Sequence, residues 1–386
     1  MTIASPIFSI SNLLSNIANI ADLPPDLYAI AEAEYKEIGL HLANTQGDGW
    51  DVYPQGSMAI GTVVRPIGNA GFDLDMVCLR NVAKQSTTQL ALKEEVGAVL
   101  MNYVRRDDTK PSLVTPSRRC WVVGYPEHGP NADLHIDVLP AIPALDLPSS
   151  TAIEITDKEL RFWQPSDPKA YAKWFNECTL KQRMIAKEAL AIKLGKSIGE
   201  IPDWEVKSTL QRVVQVLKLH RDHYFQGRDS ELRPPSILIT TLAAYAYGGE
   251  LDLRDAVLVC GRDMPHHIEQ TDGVFVVKSP VSKENFADKW AAYPERRAAF
   301  FSWMEAVQHD IEEASAAEGM DRVKGQLAKS FGESRVVMAA RNMGVELHQM
   351  GNAGELSFDA RAGGLVAAAA MAKAVPSHTF FGTKDS

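Results

Sequence analysis

Apolar residues in the first 165 positions recur with two periods, one typical of helices and one of strands. A helical period starts after Pro24-Pro25 and continues to about Asn44, and a second runs from about Thr87 to Val104. Alternating or extended patterns cover residues 51–65, 72–79, 119–124 and 132–139. The sequence therefore predicts an α+β lobe over this part of the chain.

The pattern changes at about Asp167, after which long helical periods dominate. They cover residues 168–194, 203–223, 235–247, 294–316 and 332–347. We therefore predict a core lobe with an N-terminal helix, a mostly helical second lobe, and a Gly/Ala-rich C-terminal tail. The predicted boundaries are 1–165, 166–350 and 351–386.

Two aspartates share one face of the strand predicted in FDLDMVCL. Successive side chains of a strand point to opposite faces, so Phe72 and Leu74 enter a core while Asp73 and Asp75 lie side by side on the other face. Carboxylates this close repel each other unless a cation lies between them or one stays protonated. The paired aspartates therefore indicate a cation site.

A second strand, in ADLHIDVLPA, adds a third carboxylate if it pairs with the first. Asp133, His135 and Asp137 share its polar face. Four residues of strand span about 13 Å, so Asp133 and Asp137 cannot both serve one pair of ions about 4 Å apart. Three carboxylates with room for phosphate and water favour Mg²⁺ or Mn²⁺ over zinc.

A Gly-Ser turn precedes the paired aspartates. Gly56 allows the backbone to approach a phosphate closely, and Ser57 with nearby N–H groups can donate hydrogen bonds to it. Either a Gly-Ser turn or an isolated DxD strand is weak evidence alone. The conjunction of the turn, the DxD strand and a later aspartate strand is much more specific.

The arrangement GS…DxD…D resembles the core of the polymerase-β-type nucleotidyltransferases. The surrounding residues FDLDMVC and HIDVLPA are most similar to the bacterial relatives of cyclic GMP-AMP synthase, the cGAS/DncV-like group. The likeness extends into the helical segments IPDWEVKSTLQRVVQVLKLHRDHYF, PPSILITTLAAYAY and VVKSPVSKENFADKW. It covers roughly residues 55–290 and implies a two-lobed polymerase-β-like fold with a nucleotide cleft between the lobes.

The resemblance also implies roles for individual residues. Asp73 and Asp75 would bind two Mg²⁺ ions, which Mn²⁺ can replace, and Asp137 would ligate the ion beside the attacking hydroxyl. Gly56 and Ser57 would hold the donor triphosphate.

Two positions in the helical lobe resemble family residues that reach the same triphosphate. They are Lys218, in KLHRD, and Ser236, in PPSIL. Without the resemblance, the sequence would predict a different place for Lys218, with its aliphatic stem packed along the face of a helix and its ammonium in solvent.

The implied reaction joins nucleoside triphosphates, at least one of them a purine nucleotide, and releases pyrophosphate. Its product would be a cyclic di- or trinucleotide second messenger in bacterial anti-phage signalling. The resemblance implies binding of ATP and GTP and leaves the base selectivity open. The family's regulators imply a protein partner acting at the C-terminal tail, where VPSHTFFG ends four residues before the last residue.

The composition of the chain indicates which classes of binding partner and which cellular location to expect. The net charge of −9 weighs against long nucleic acid, because binding of the phosphate backbone usually requires a basic excess. The four cysteines form no ligand spacing, the N-terminus lacks the features of a signal peptide, and the Gly/Ala-rich run near the C-terminus is too short to span a bilayer. These features predict a cytoplasmic protein without a membrane partner.

Three alternatives remain open at this stage. The chain could make a linear product, as oligoadenylate synthase does, or transfer a nucleotide to RNA, an antibiotic or a protein. It could also be an inactive nucleotide-binding scaffold, although three converging carboxylates weigh against this.

Overall fold

The computed structural model describes residues 9–47, 49–65, 71–105, 113–117, 119–125, 134–156, 162–200, 206–359 and 364–367. Within these residues seven strands form one mixed sheet, in the order β1-β2-β5-β4-β3 with β6 and β7 continuing from β5. The strands are β1 Trp50–Gln55, β2 Phe72–Arg80, β3 Leu113–Pro116, β4 Trp121–Tyr125, β5 Leu134–Pro143, β6 Ile153–Ile155 and β7 Gln164–Ser166. Only β2 and β5 pair in parallel among the described strands.

Eleven helices occur in the described residues. They are α1 Ile10–Ala21, α2 Pro25–Gln46, α3 Gly56–Ala59, α4 Gln89–Val104, α5 Pro168–Leu194, α6 Thr209–Tyr224, α7 Ser236–Ala246, α8 Leu253–Asp263, α9 Pro294–Ala316, α10 Met320–Phe331 and α11 Glu333–Asn352. Two hairpins complete the fold, formed by β8 Glu269–Thr271 with β9 Val274–Val276, and by β10 Leu356–Asp359 with β11 Gly364–Ala367. Among these helices, none combines the length and apolar character needed to cross a bilayer.

The first core lies on one face of the sheet. Phe72, Leu74 and Met76 of β2 are fully or almost fully buried there, beneath α2 and α4. Because side chains alternate along a strand, this burial directs the intervening aspartates to the opposite face. The predicted orientation of β2 is therefore confirmed.

The second core is formed by the helical lobe around α6, which is buried on nearly its whole circumference from Leu210 to Arg221. A capping box at Ser208 starts this helix, since its side chain accepts from the Gln211 amide and the Gln211 side chain accepts from the Ser208 amide. The helix predicted over 203–223 accordingly begins later, at Thr209.

Helix α1 belongs to the core of the helical lobe, although it precedes the sheet in sequence. Its residues Leu13, Leu14 and Ile17 are fully buried in the same cluster as α6 and α8. The first helix in the sequence therefore packs in the helical lobe, and the strands of the sheet follow it in the chain.

The α+β two-lobed prediction is confirmed, and a second local correction concerns the segment between β1 and β2. Residues 51–65 were predicted to be extended around a turn, but Gly56–Ala59 form the single helical turn α3. Asp133 and the residues VPSHTFFG lie outside the described part of the chain.

Candidate active site

The parallel pairing of β2 with β5 brings the predicted carboxylates together. Asp75 is the register partner of Asp137, and Asp73 is the partner of His135. Adjacent strands lie about 4.8 Å apart, so Asp75 and Asp137 are direct neighbours on the face opposite the first core. Asp73 is exposed, whereas Asp75 and Asp137 are half-buried.

Burial and the nearby negative charges make Asp75 and Asp137 costly to ionise. Desolvation, followed by the charges of Asp137 and Asp73, raises the pKa of Asp75 to about 7. Desolvation is also the main cause that raises the pKa of Asp137, and Asp73 adds to it. A bound cation would relieve both effects, because it offsets the negative charge that burial penalises.

Gly56 lies directly against one of these carboxylates. Its φ is +56°, and a Cβ at this position would lie 2.6 Å from Oδ2 of Asp75. Gln55, the last residue of β1, is the register partner of Asp75, which explains the close approach. Only glycine satisfies both the backbone conformation and the available space.

Lys218 points from α6 toward the segment that follows the Gly-Ser turn. It is 3% exposed, and its ammonium donates to the Thr62 carbonyl at 2.9 Å and to the Thr62 hydroxyl at 3.1 Å. Desolvation and the nearby Arg221 charge lower the pKa of Lys218 to about 7, while Asp222 and Asp75 oppose this shift. The lysine is thus a buried, hydrogen-bonded group rather than a helix-surface side chain.

Ser236 is the first residue of α7 and lies beside Arg221 of α6. The Arg221 guanidinium donates to the Ser236 hydroxyl at 3.0 Å and to the Pro234 carbonyl at 3.0 Å. Arg221, which holds Ser236, lies three residues after Lys218 in α6, so the two residues lie on the same side of this helix.

Cys120 was not among the residues predicted from the sequence. Its thiol donates to Oδ2 of Asp137 at 3.4 Å. The cysteine precedes β4, and no local pattern marks it, because its proximity to Asp137 depends on the antiparallel pairing of β4 with β5.

The structure brings together Asp73, Asp75, Asp137 and Gly56, with Ser57 next in the chain. In the described residues, no three side chains of the His, Cys, Asp or Glu type enclose a single ion in this conformation. Phosphate and water oxygens would therefore have to complete a magnesium site, which is how proteins usually bind this ion.

Similarity to known proteins supports a nucleotidyltransferase. Residues 51–140 match the family model described as cyclic GMP-AMP synthase DncV-like, nucleotidyltransferase domain. A protein of Roseivirga ehrenbergii, named c-di-GMP synthase, is 26% identical over 382 residues, which cover 97% of each chain.

Two solved structures share the fold. The CD-NTase CdnG of Bradyrhizobium diazoefficiens, in complex with GTP, has a TM-score of 0.71 at 20% identity, covering 87% of this chain and all of its own. The cyclic AMP-GMP synthase DncV of Vibrio cholerae, with nonhydrolyzable GTP, has a TM-score of 0.52 at 16% identity, covering 95% and 89% of the two chains.

The fold, the carboxylate face and these likenesses together define a nucleotidyltransferase. The resemblance to the bacterial cGAS/DncV-like nucleotidyltransferases, which the sequence motifs predicted, is confirmed.

The carboxylate site predicts a pH-dependent stability of the metal-free protein. Because the pKa of Asp75 is raised from 3.8 to about 7, the folded state holds its proton more tightly than the unfolded state between these values. Stability therefore falls as pH rises through this interval. In EDTA, we expect Asp75→Asn to raise the melting temperature at pH 8 by roughly 2–6 °C and to change it little at pH 4.

The same variant tests cation binding without an activity assay. Adding Mg²⁺ at pH 8 should raise the melting temperature of the wild type, since a ligand that binds only the folded state stabilises it. This increase should be lost in Asp75→Asn. An equal response of both proteins to Mg²⁺ would show that Asp75 does not contribute to the cation site.

Proposed function

We propose that this protein joins nucleoside triphosphates into a cyclic di- or trinucleotide containing at least one purine, with release of pyrophosphate. The observation that carries the proposal is the register of β2 and β5, which pairs Asp75 with Asp137 next to Gly56. The Roseivirga relative, named c-di-GMP synthase, supports a cyclic product and makes GTP the first substrate to test.

Each of the predicted residues has a role in this proposal. Asp73, Asp75 and Asp137 would hold Mg²⁺. The raised pKa values of the neighbouring Asp75 and Asp137 fit a site that binds a cation. When bound, two such ions supply charge stabilisation at the attacking and leaving oxygens. Gly56 and Ser57 would hold the donor triphosphate.

Lys218 and Ser236 would support the triphosphate from the helical lobe. The two contacts of Lys218 with Thr62 engage two of the three N–H donors of its ammonium, which leaves one for a phosphate oxygen. The protein's contribution is then positioning and preorganised charge, because the transfer needs no covalent intermediate.

The wider setting of the proposal is cytoplasmic anti-phage signalling. We propose that the protein acts without long nucleic acid or a membrane as a partner. We also propose that a regulatory protein acts on the tail 351–386. A protein of similar fold, Escherichia coli CdnC, forms a complex with HORMA, which supports a protein partner.

The experiment is incubation of the purified protein with ATP, GTP, CTP and UTP, each labelled in turn, in the presence of Mg²⁺. Products are treated with phosphatase and then resolved. A cyclic product survives because it has no terminal phosphate, whereas a linear oligomer is shortened to a form without its 5′ phosphates. Only linear species, or label on a macromolecule, would contradict the proposed product.

A further inference from the structure

One face of α6 holds the segment that follows the Gly-Ser turn by a continuous set of hydrogen bonds. Four consecutive carbonyls of this segment, residues 60–63, each accept from a different side chain of α6 or of the residue before its cap. The bonds are Gln211 to Ile60 at 2.8 Å, Lys207 to Gly61 at 3.0 Å, Lys218 to Thr62 at 2.9 Å, and Gln215 to Val63 at 2.8 Å.

The spacing of these donors follows the helix. Gln211, Gln215 and Lys218 are four and three residues apart, so they lie on one side of α6. They are 3%, 0% and 3% exposed. Buried carbonyls that lose their donor are costly, so this contact tolerates little displacement of the segment.

Both glutamine amides have a fixed orientation. Oε1 of Gln211 accepts from the Ser208 amide, and Oε1 of Gln215 accepts from the Arg212 guanidinium, each at 2.8 Å. The Nε2 group of each glutamine must therefore face the segment 60–63. In each glutamine, Oε1 accepts a hydrogen bond from within the helical lobe, and Nε2 donates one to a carbonyl of segment 60–63.

The segment in turn holds the Gly-Ser turn. The Thr62 N–H donates to the Ser57 carbonyl at 2.9 Å, and the Gly61 N–H donates to the Met58 carbonyl at 3.3 Å. Thr62 therefore bridges α6 and the turn, since its carbonyl accepts from Lys218 while its N–H binds Ser57. A single residue, Thr62, therefore links the lysine to the serine.

Close approach at Gly61 completes the contact. Its φ is +67°, and a Cβ there would lie 2.6 Å from Nε2 of Gln211. A little further along the chain, the Arg65 N–H donates to the Ala21 carbonyl at the end of α1 at 2.6 Å. The segment is thus fixed between α1 and α6, both of which belong to the helical core.

We propose that Gln211 and Gln215 are positioning residues for nucleotidyl transfer, which hold the Gly-Ser turn at a set distance from the aspartates through segment 60–63. The inference rests on the proposed function. Neither glutamine needs to touch the nucleotide, because both act through main-chain carbonyls. A displacement of about 1 Å at a reacting group can lower the rate on the order of a hundredfold, so a rigid turn has a direct catalytic consequence.

Gln211→Glu is the sharpest variant, because it removes the bond across the lobe boundary while keeping the helix cap. A glutamate oxygen still accepts from the Ser208 amide, as in other capping boxes, but it has no donor for the Ile60 carbonyl. The glutamate charge would be buried next to the Ile60 carbonyl, and the Lys207 ammonium donates to the following carbonyl, that of Gly61. Gln215→Met, which keeps the side-chain length and adds no charge, is the second variant.

We expect both variants to raise KM for the triphosphate at least about fivefold and to lower kcat about tenfold. Amide hydrogen exchange over residues 57–63 should become faster in the absence of nucleotide. Gln326→Glu on α10 is the matched control, because its side-chain oxygen keeps its contact with Lys329 and it lies outside this segment. The control should leave both kinetic constants and the exchange unchanged.

The readouts separate positioning from a loss of stability. Partial unfolding would lower the apparent kcat and leave KM unchanged. If the enzyme is active, two results would overturn the positioning role. One is faster amide exchange over residues 57–63 with an unchanged KM, and the other is unchanged exchange in both variants. A wild type that transfers no nucleotide would instead overturn the proposed function, and the exchange comparison would then decide independently whether the glutamines hold the segment.

Discussion

We expect Asp137→Asn to abolish turnover and to leave the fold intact. Asp137 lies opposite Asp75 in the parallel pair of strands. In the proposed reaction, its ionised carboxylate would hold a cation at the attacking hydroxyl. Asparagine keeps the volume but removes the charge, so we expect a loss of about a thousandfold or more in kcat. The melting temperature of the metal-free variant should be unchanged or higher, because desolvation raises the pKa of this carboxyl.

Asp133→Asn is the matched control for this prediction. It changes an aspartate four residues earlier in the sequence, and four residues of a strand span about 13 Å, too far to share ions about 4 Å apart. Activity should stay within about tenfold of the wild type, a barrier change of about 1.4 kcal/mol. An inactive Asp133→Asn together with an active Asp137→Asn would mean that the register of β2 with β5 is not the functional one.

Gly56→Ala should lower kcat/KM by about a hundredfold or more. Its Cβ would lie 2.6 Å from Oδ2 of Asp75, so either the carboxylate or the Gly-Ser turn has to move. The positive φ of +56° adds a backbone cost of about 1–2 kcal/mol for any L-residue.

Gly195→Ala separates these two effects. Gly195, after α5, has a similar φ of +63°, but a Cβ there would meet nothing within 4 Å. It should lower stability by about the same backbone cost and leave kcat/KM unchanged. If both variants kept wild-type kinetics, the contact between Gly56 and Asp75 would have no part in catalysis. The measurements are steady-state kinetics with melting temperature as the folding control.

The carboxylate face could be predicted because a strand has a strict two-residue period. In β2 every second residue is apolar, so burial of Phe72 and Leu74 determines where Asp73 and Asp75 point. The partner strand was predicted as an element, but its parallel pairing with β2 depends on the chain between them and not on any local pattern.

The contacts between the lobes could not be predicted in the same way. Glutamine and lysine on α6 have the composition of a solvent-facing helix side, yet Gln215 is fully buried against a carbonyl 152 positions away in the chain. Helix α1 has a readable apolar period, but the sequence does not say that it packs in the helical lobe. Cys120 reaches Asp137 only through strand pairing.

If the carboxylate face transfers a nucleotidyl group, the α- and γ-phosphates of the substrate must end in different products. GTP and ATP labelled at either the α- or the γ-phosphate are incubated with the protein and Mg²⁺, and the products are resolved with and without phosphatase. We predict that the α label enters a phosphatase-resistant product and that the γ label leaves as pyrophosphate. Release of the γ label as inorganic phosphate, with the α label remaining in a mononucleotide, would contradict the account.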